Sequence, residues 1–308
     1  MSGPGSVPRG AGLPTGPRRS ARLGAAAAGP PGLVAGGAGR LPALIAGAVA
    51  AVVVAAALAP GWLAPFDPLA IDPSAAFQAP SPAHWLGTDE SGRDLLSRVI
   101  HGARDSLLIG AAATGVGLAL ALLLGVPAGL GAGGGRAGRW LDFGIGRVLE
   151  VLFALPGLLL ALVFIALAGP GVATSVVAVG LGTAPGYARL IRTQVAVLRS
   201  SPMIEAAVVL GRPRGTILWR HLLPNALAPV LVLATLGLGQ AVVWASALSF
   251  LGLGAPPPAP EWGSMLSAGR TYLGIAWWMT VFPGLAVVAV AASSTVLGRA
   301  LSRRAAGL

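Results

Sequence analysis

The sequence contains no cysteine and no lysine. The absence of cysteine excludes thiol catalysis, cysteine-ligated zinc, iron–sulfur clusters and disulfide bonds, and it leaves the redox compartment open. The absence of lysine excludes a Walker A phosphate loop and a Schiff-base lysine within this chain. If ATP drives this protein, another chain must therefore bind the nucleotide.

Charged residues are also scarce. They make up 10% of the 308 residues, whereas about 25% is usual for a soluble domain. A hydrophobic share of 55% and a mean hydropathy of +0.79 leave too little polar surface to cover a soluble fold. Five stretches without charge reach the ~18 residues that a membrane span requires. They are 41–59, 106–135, 151–188, 221–260 and 271–298. The composition therefore predicts an all-α membrane protein.

Two of these stretches are longer than a single span, and glycine and proline divide them. The cluster at 168–171 splits the third stretch into a helical hairpin, and three prolines end the helix of the fourth stretch. The sequence thus predicts six transmembrane helices. They are placed at 41–59, 106–131, 145–167, 172–194, 225–250 and 278–298. An external loop over 60–104 follows the first helix, and the other five helices form a core over 105–300.

The distribution of arginine predicts the topology. Residues 1–40, rich in glycine, proline, alanine and serine, are predicted to form a disordered cytoplasmic tail. The apolar run of 41–59 exceeds the core of a signal peptide, so we interpret it as an uncleaved span. With the tail inside, most of the 21 arginines fall on the cytoplasmic side, as expected for membrane proteins. Both termini are therefore predicted to be cytoplasmic, with 301–308 as a second short tail.

The internal loop between the fourth and fifth predicted spans has the pattern of two short helices joined by a turn. Pro202 begins the first helix, Glu205 suits its positive end, and Gly211 follows its last residue. Pro213 is placed to begin the second helix and Pro224 to stop it before the fifth span. The predicted exposed ridge consists of Glu205, Ala206, Ala207 and Gly211.

Such a ridge is typical of a docking surface for a partner protein. Small side chains allow the partner to approach closely, and a single carboxylate orients it. An amphipathic hairpin that rests on lipid headgroups explains the same pattern. The arginines around the loop support both interpretations.

The residues of this loop resemble a known family. Glu205, Ala206, Ala207 and Gly211, followed by Leu223 and Pro224, are similar to the EAA loop of ABC importer permeases. Further segments resemble the second, C-type permease subunit of dipeptide, oligopeptide and nickel importers. They are 84–89, 92–94, 97–98, 102–104, 153–156, 185–189, 220–225, 248–254 and 261–263. Two features depart from the family: Glu150 replaces a common aspartate, and 212–214 replaces a more polar turn.

The resemblance covers roughly residues 41–300 and implies the fold of a type I ABC importer permease. That fold has six transmembrane helices and a cytoplasmic coupling helix-turn-helix, here over 199–224. The resemblance implies that Glu205, Ala206, Ala207, Gly211, Leu223 and Pro224 dock the ATPase. The protein would then be a subunit of the bacterial plasma membrane that catalyses no reaction.

The implied partners are a second homologous permease, two ABC ATPase subunits, an extracytoplasmic substrate-binding protein and the lipid bilayer. The chain itself binds no cofactor, because ATP and magnesium belong to the ATPase subunits. Nucleic acid is not an expected partner, because the arginines punctuate apolar runs and form no single solvated face. Peptides are the favoured cargo, with nickel or another small solute as the alternative.

Outside the loop, individual polar residues leave alternatives open. Gln240 lies near the middle of the fifth span, where an amide either lines a water-filled path or bonds between helices. Asp89, Arg93 and Asp94 are interpreted as an ion-paired cap at the external mouth or as a contact for the substrate-binding protein. Glu150 is spaced to pair with Arg147 on a helix surface.

No metal site is predicted, because the three histidines are scattered and no ligand cluster has the required spacing. Two other classes of function remain as hypotheses. An intramembrane enzyme would need catalytic motifs that are missing from the sequence. A channel or secondary transporter would work without an ATPase, and the loop argues against it.

Overall fold

The structure is a computed structural model that describes residues 40–132 and 135–305. The predicted N-terminal tail before Arg40 and the last residues of the second tail lie outside the described part. Within that part the chain is helical and has no strand, which confirms the all-α prediction. The main helices are α1 (Arg40–Leu58), α2 (Leu95–Gly131), α3 (Arg136–Ala154), α4 (Gly157–Ala168), α5 (Val172–Arg199), α6 (Pro202–Val209), α7 (Leu223–Phe250), α8 (Trp262–Gly269) and α9 (Trp278–Ala305).

Four of the described helices, α1, α2, α7 and α9, are long and apolar enough to cross a membrane. A fifth crossing is counted if α3 and α4 form one bent span. The predicted count of six is not confirmed, because α5, which contains the predicted span 172–194, is 28 residues long but is not among these helices. The sixth span therefore stays a prediction.

The third predicted span, 145–167, is wrong as a continuous helix. α3 and α4 meet at an angle of 91° around Leu155 and Pro156. Proline ends a helix because it lacks an amide hydrogen and clashes with the preceding turn. The residue before proline is pushed into extended backbone, and Leu155 has φ −92° and ψ 135°. The break at this point opens space between the helices.

The tightest helix contact joins α2 to α5 through a stripe of small residues. The stripe has one member at every fourth position of α2: Gly117, Ala121, Gly125 and Gly129. A Cβ at Gly117 would clash with the Thr183 hydroxyl and crowd the carbonyl of Gly180, and one at Gly129 would clash with the backbone of Arg192. Small residues allow this close approach of two backbones in a membrane.

The register of that contact also fixes the direction of the chain. Because Gly117 meets Gly180 and Gly129 meets Arg192, residue numbers rise together and the two helices are parallel. The chain must therefore return from one end of the bundle to the other between Gly131 and Val172. The bent pair of α3 and α4 makes that return.

The second helix of the predicted internal loop does not stop at Pro224. A helical turn at Arg214–Thr216 and a π-helical stretch at Ile217–Leu222 run directly into α7. Proline is tolerated in the first turn of a helix, and π-helical turns are an accepted irregularity within longer helices. The prediction of a separate second helix is therefore wrong, and the second half of the loop is continuous with α7.

The segment between α1 and α2 folds into a compact cap on the end of the bundle. The Trp278 indole of α9 donates a hydrogen bond to the carbonyl of Thr88 at 3.0 Å. α2 begins at Leu95, so 95–104, predicted as the end of an external loop, are helical. The cap therefore ends at the N-terminus of α2.

Candidate functional site

The helix α6 carries the predicted coupling residues on two different faces. Glu205 and Ala206 are exposed, as predicted. Ala207 is only 7% exposed and packs with Ile204 in a core cluster, so its assignment to the exposed ridge is wrong. Ile204 and Ala207 are three residues apart and lie on the same, inward face of the helix.

The outward face of α6 carries large apolar side chains and does not include Ala207. Val209 is 86% exposed and Leu210 is 76% exposed. We call this outward face the α6 surface, and it consists of Met203, Glu205, Ala206, Val208, Val209 and Leu210. Exposed apolar patches of this kind mark interaction surfaces, and Glu205 supplies the one charge on the α6 surface.

Gly211 reverses the chain at the end of α6. Its φ of +69° lies in the left-handed region, which glycine adopts without strain. The amide of Gly211 donates to the carbonyl of Val208, and the amide of Arg212 donates to that of Ala207. A Cβ at Gly211 would meet no atom within 4 Å. The turn is therefore open to a partner as well as conformationally specific to glycine.

The last two predicted coupling residues lie at the start of α7. Leu223 is half-buried and Pro224 is exposed. The neighbouring Leu222 is buried in the same core cluster as Ala207, and the side-chain amide of Asn225 donates to the carbonyl of His221 at 2.6 Å. The packing of Leu222 in the same cluster as Ala207 connects α6 to the start of α7, so a force on α6 acts on a long helix of the bundle.

A cavity of about 320 Å³ lies where the break between α3 and α4 faces α5 and α7. Its wall includes Phe153, Pro156, Tyr187, Gln240 and Trp244. The Gln240 side chain is exposed to this space. Among the described residues its amide has no hydrogen-bond partner, so the geometry favours the interpretation that Gln240 lines a path.

The three residues predicted at the external mouth lie inside the cap. Asp89 is 4% exposed and Asp94 is 3% exposed. One oxygen of Asp89 accepts hydrogen bonds from the amides of Ser91 and Arg93 at 2.8 and 2.9 Å. Its other oxygen lies 3.5 Å from the Arg98 guanidinium and 3.6 Å from that of Arg93. Asp89 therefore fixes the shape of the cap.

Asp94 is the N-cap of α2. Its carboxylate accepts hydrogen bonds from the amide and the hydroxyl of Ser97, both at 2.8 Å, and lies 2.9 Å from Nδ1 of His84. Such a capping residue satisfies amides that the first turn of a helix leaves free. Buried carboxylates with these partners match the interpretation of an ion-paired cap. They are not available as a contact for another protein.

Two arginines of α5 that were not among the predicted site residues have different surroundings. Arg192 forms two hydrogen bonds with Asp142 of α3, at 2.7 and 2.9 Å. Arg189 lies with its guanidinium carbon 4.7 Å from the centroid of the Phe153 ring. The available signal was two charges at the inner end of a predicted span, where ionisable residues are functional candidates.

Two smaller findings complete the site. Arg147 and Glu150 form the predicted pair at 3.0 Å on the exposed surface of α3. In the described part of the chain, no group of three or more histidine, aspartate or glutamate side chains is arranged to hold a metal ion.

Comparison with known proteins places this geometry in a family. The family described as "binding-protein-dependent transport system inner membrane component" matches residues 125–307. The dipeptide transport system permease protein DppC of Alkalihalophilus pseudofirmus is 42% identical over 231 residues, or 75% of this chain and 74% of that protein. The chain belongs to this family of permeases. The predicted resemblance to the C-type subunit is confirmed.

Two further relatives match most of this permease's length, and a solved structure matches its fold. The glutathione transport system permease protein GsiD of Pectobacterium atrosepticum is 39% identical over 84% of each chain. The di/tripeptide transport system permease protein DppC of Pseudomonas aeruginosa is 39% identical over 81% of this chain and 82% of that protein. An inward-facing structure of the MetNI methionine ABC transporter matches with a TM-score of 0.52 and 20% identity, covering 67% of this chain and 97% of that chain. The permease therefore has the fold of an ABC importer subunit.

Proposed function

We propose that this permease forms a translocation path for short peptides together with a second homologous permease. Two ABC ATPase subunits drive the cycle from the cytoplasm, and an extracytoplasmic substrate-binding protein delivers the cargo. The names of the relatives support peptide cargo, since they specify dipeptides, di- and tripeptides and glutathione. The permease lies in the bacterial inner membrane with both termini in the cytoplasm.

The observation that carries this proposal is the α6 surface. It exposes large apolar side chains around Glu205. The turn after α6 leads through a π-helical stretch into α7. A groove in an ATPase subunit would cover this surface, with Glu205 orienting the partner. Because the chain lacks the lysine of a phosphate-binding loop, ATP and magnesium are bound by that partner.

Transport then requires the ATPase to move the permease between two conformations. Shifting such an equilibrium from 1:99 to 99:1 takes about 5.5 kcal/mol of differential binding. A docked α6 transmits this energy because its inward face, Ile204 and Ala207, packs with Leu222, the residue directly before α7. A hairpin resting on lipid headgroups would have no such differential contact with a nucleotide-driven partner.

The cavity beside Gln240 is the proposed part of the path. Its lining combines apolar walls with a few polar groups and contains no charged residue. Such a lining suits a small solute without a net charge. Selection among peptides then rests mainly on the substrate-binding protein.

Copurification tests the assembly. The chain carrying a C-terminal tag is extracted gently from native membranes, and the copurifying proteins are identified by mass spectrometry. We expect a second permease and ATPase subunits. Recovery of the chain alone, together with transport driven by an ion gradient, would overturn the proposal in favour of a secondary transporter.

A substitution on the α6 surface makes this test specific. Leu210→Asp places a charge on a side chain that is 76% exposed, so the fold is unaffected while the apolar contact is lost. We expect the second permease to be recovered and the ATPase subunits to be lost. Leu69→Asp, at an exposed leucine of the cap, is the matched control and should retain both partners.

A further inference from the structure

Two arginines of α5, three residues apart, differ in how their charge is compensated. The Arg192 guanidinium makes two hydrogen bonds to the Asp142 carboxylate. No carboxylate of the described residues lies within ion-pairing distance of Arg189. Its guanidinium carbon lies instead 4.7 Å from the centre of the Phe153 ring. A ring face attracts a cation but does not neutralise it. The positive charge of Arg189 therefore remains available to an anionic ligand.

This charge lies at the edge of the cavity. Phe153, under the guanidinium, is part of the cavity wall. Gly182, Gly186 and Arg189 are spaced four and three residues apart along α5, so they lie on one face of the helix. Gly182 and Gly186 also line the cavity. The backbone of α5 thus directs Arg189 to the same side as the open space.

The polar groups around the cavity differ in whether they already have hydrogen-bond partners. The Thr183 hydroxyl donates to the carbonyls of Val179 and Gly180 at 3.1 Å, so its donor is occupied. The Gln240 side chain is exposed and its amide has no partner within the described ranges. Trp244 and Pro156 supply apolar walls. The Gln240 amide and the Tyr187 hydroxyl therefore belong to a mainly apolar wall, and the Arg189 cation lies at its edge, over the Phe153 ring.

We propose that this cavity binds the carboxylate end of the cargo, with Arg189 holding the carboxylate and Gln240 bonding an adjacent peptide group. The guanidinium fork matches a carboxylate in two parallel hydrogen bonds. An arginine near a membrane span is stable when it faces a water-filled cavity or a ligand. This inference rests on the proposed function and adds a contribution of the permease to cargo selection.

The absence of native cysteine provides a direct probe of the site. Gly186→Cys introduces the only thiol of this chain, and a Cβ at that position has Phe153 Cε2 at 3.8 Å as its one neighbour within 4 Å. The complete importer is placed in lipid nanodiscs without the substrate-binding protein. The rate at which N-ethylmaleimide modifies Cys at position 186 is then measured by mass spectrometry of this chain.

A dipeptide and its C-terminal amide are compared as protecting ligands. We expect the dipeptide to slow modification and the amide to protect only at a concentration at least about tenfold higher, since a hydrogen bond to a charged group is lost. Arg189→Gln in the same background should raise the protective dipeptide concentration by a similar factor. Arg189→Lys should restore part of the difference, because it keeps the charge without the fork.

Matched controls separate this role from a structural one. Arg192→Gln removes a guanidinium that already has a carboxylate partner, and Arg147→Gln removes an exposed one on α3. Both should leave the preference for the free carboxylate intact. If Arg192→Gln prevents folding, Arg147→Gln still provides the comparison.

Three results of this assay would overturn the inference. The dipeptide and its amide could protect equally, or Arg189→Gln could leave protection by the dipeptide unchanged. Anionic phospholipid could also protect the thiol so that added dipeptide has no further effect. Uptake by the same importer, with its binding protein, reports on the proposed function separately. Uptake without protection overturns the carboxylate subsite alone. Protection without uptake supports the subsite and overturns the role as an importer.

Discussion

The cap and the α6 surface show two opposite uses of a carboxylate. In the cap, Asp89 and Asp94 are nearly completely buried and each accepts several hydrogen bonds. On the α6 surface, Glu205 is exposed among large apolar side chains. From the sequence, both sets are candidates for contact with a partner. Only Glu205 lies where a partner can reach it.

The difference shows that burial distinguishes carboxylates that stabilise the fold from those that can contact a partner. A buried carboxylate with paired oxygens contributes to its own fold, because unpairing it costs free energy. An exposed apolar surface contributes nothing to the stability of the isolated chain and indicates an interface. The four experiments below test this comparison, in order of expected effect.

Substitution of Glu205 should have the largest effect on function. We expect Glu205→Arg to abolish uptake, because a reversed charge opposes docking of the ATPase, while membrane insertion and thermal stability remain unchanged. Uptake of radiolabelled dipeptide and the unfolding temperature of the purified chain provide the measurements. Normal uptake by this variant would contradict the assignment of α6 as the coupling element.

Gly211 provides a second variant of the same type with its own control. Asp and Asn both tolerate the left-handed backbone better than other residues, and Gly211 has φ +69°. Gly211→Asp should abolish uptake, whereas Gly211→Asn should retain more of it, since only the former adds a charge to the docking turn. Equal loss in both variants would assign the effect to the turn geometry.

Substitution of Asp94 should affect stability and not docking. Asp94→Ala removes the N-cap of α2 and leaves Ser97 and His84 without their partner. We expect the free energy of unfolding to fall by about 2 kcal/mol. The measurement is chemical denaturation in mild detergent, followed by tryptophan fluorescence. Asp94→Asn keeps one acceptor oxygen and should lose less; an unchanged stability in Asp94→Ala would refute the structural role of the cap.

The smallest effect is expected for Arg147→Gln. The pair of Arg147 with Glu150 is 3.0 Å long, but its side chains are 71% and 58% exposed. Exposed pairs of this type contribute at most about 1 kcal/mol. Uptake and stability should both stay near the wild-type values in the same two assays. A large loss of uptake would indicate that Glu150 takes part in gating.

Much of the architecture follows from the sequence because long uncharged runs have few alternatives in a membrane. The first predicted span, 41–59, agrees closely with α1, and the fifth, 225–250, with α7. The turn at Gly211 was also predicted, since glycine is preferred where the backbone turns left-handed. These features depend on local composition and on backbone chemistry.

Other features depended on contacts between distant residues. The Leu155–Pro156 break lies within one uncharged run, and hydropathy gives no measure of the resulting 91° bend. The inward position of Ala207 follows from its packing with Ile204 and Leu222. Helical spacing relates residues to one another but does not say which face is covered.

The sequence by itself determined the all-α class, the membrane location of the helices, the absence of a Walker A lysine and the family. Composition decides the first two properties because the free energy of transfer into a membrane sums over residues. The family follows from local motifs such as 205–211. The tertiary structure alone decided which charges are free. Asp142, on a different helix, neutralises Arg192 and leaves Arg189 beside the cavity. Pairing across helices depends on distance in space, which residue order does not specify.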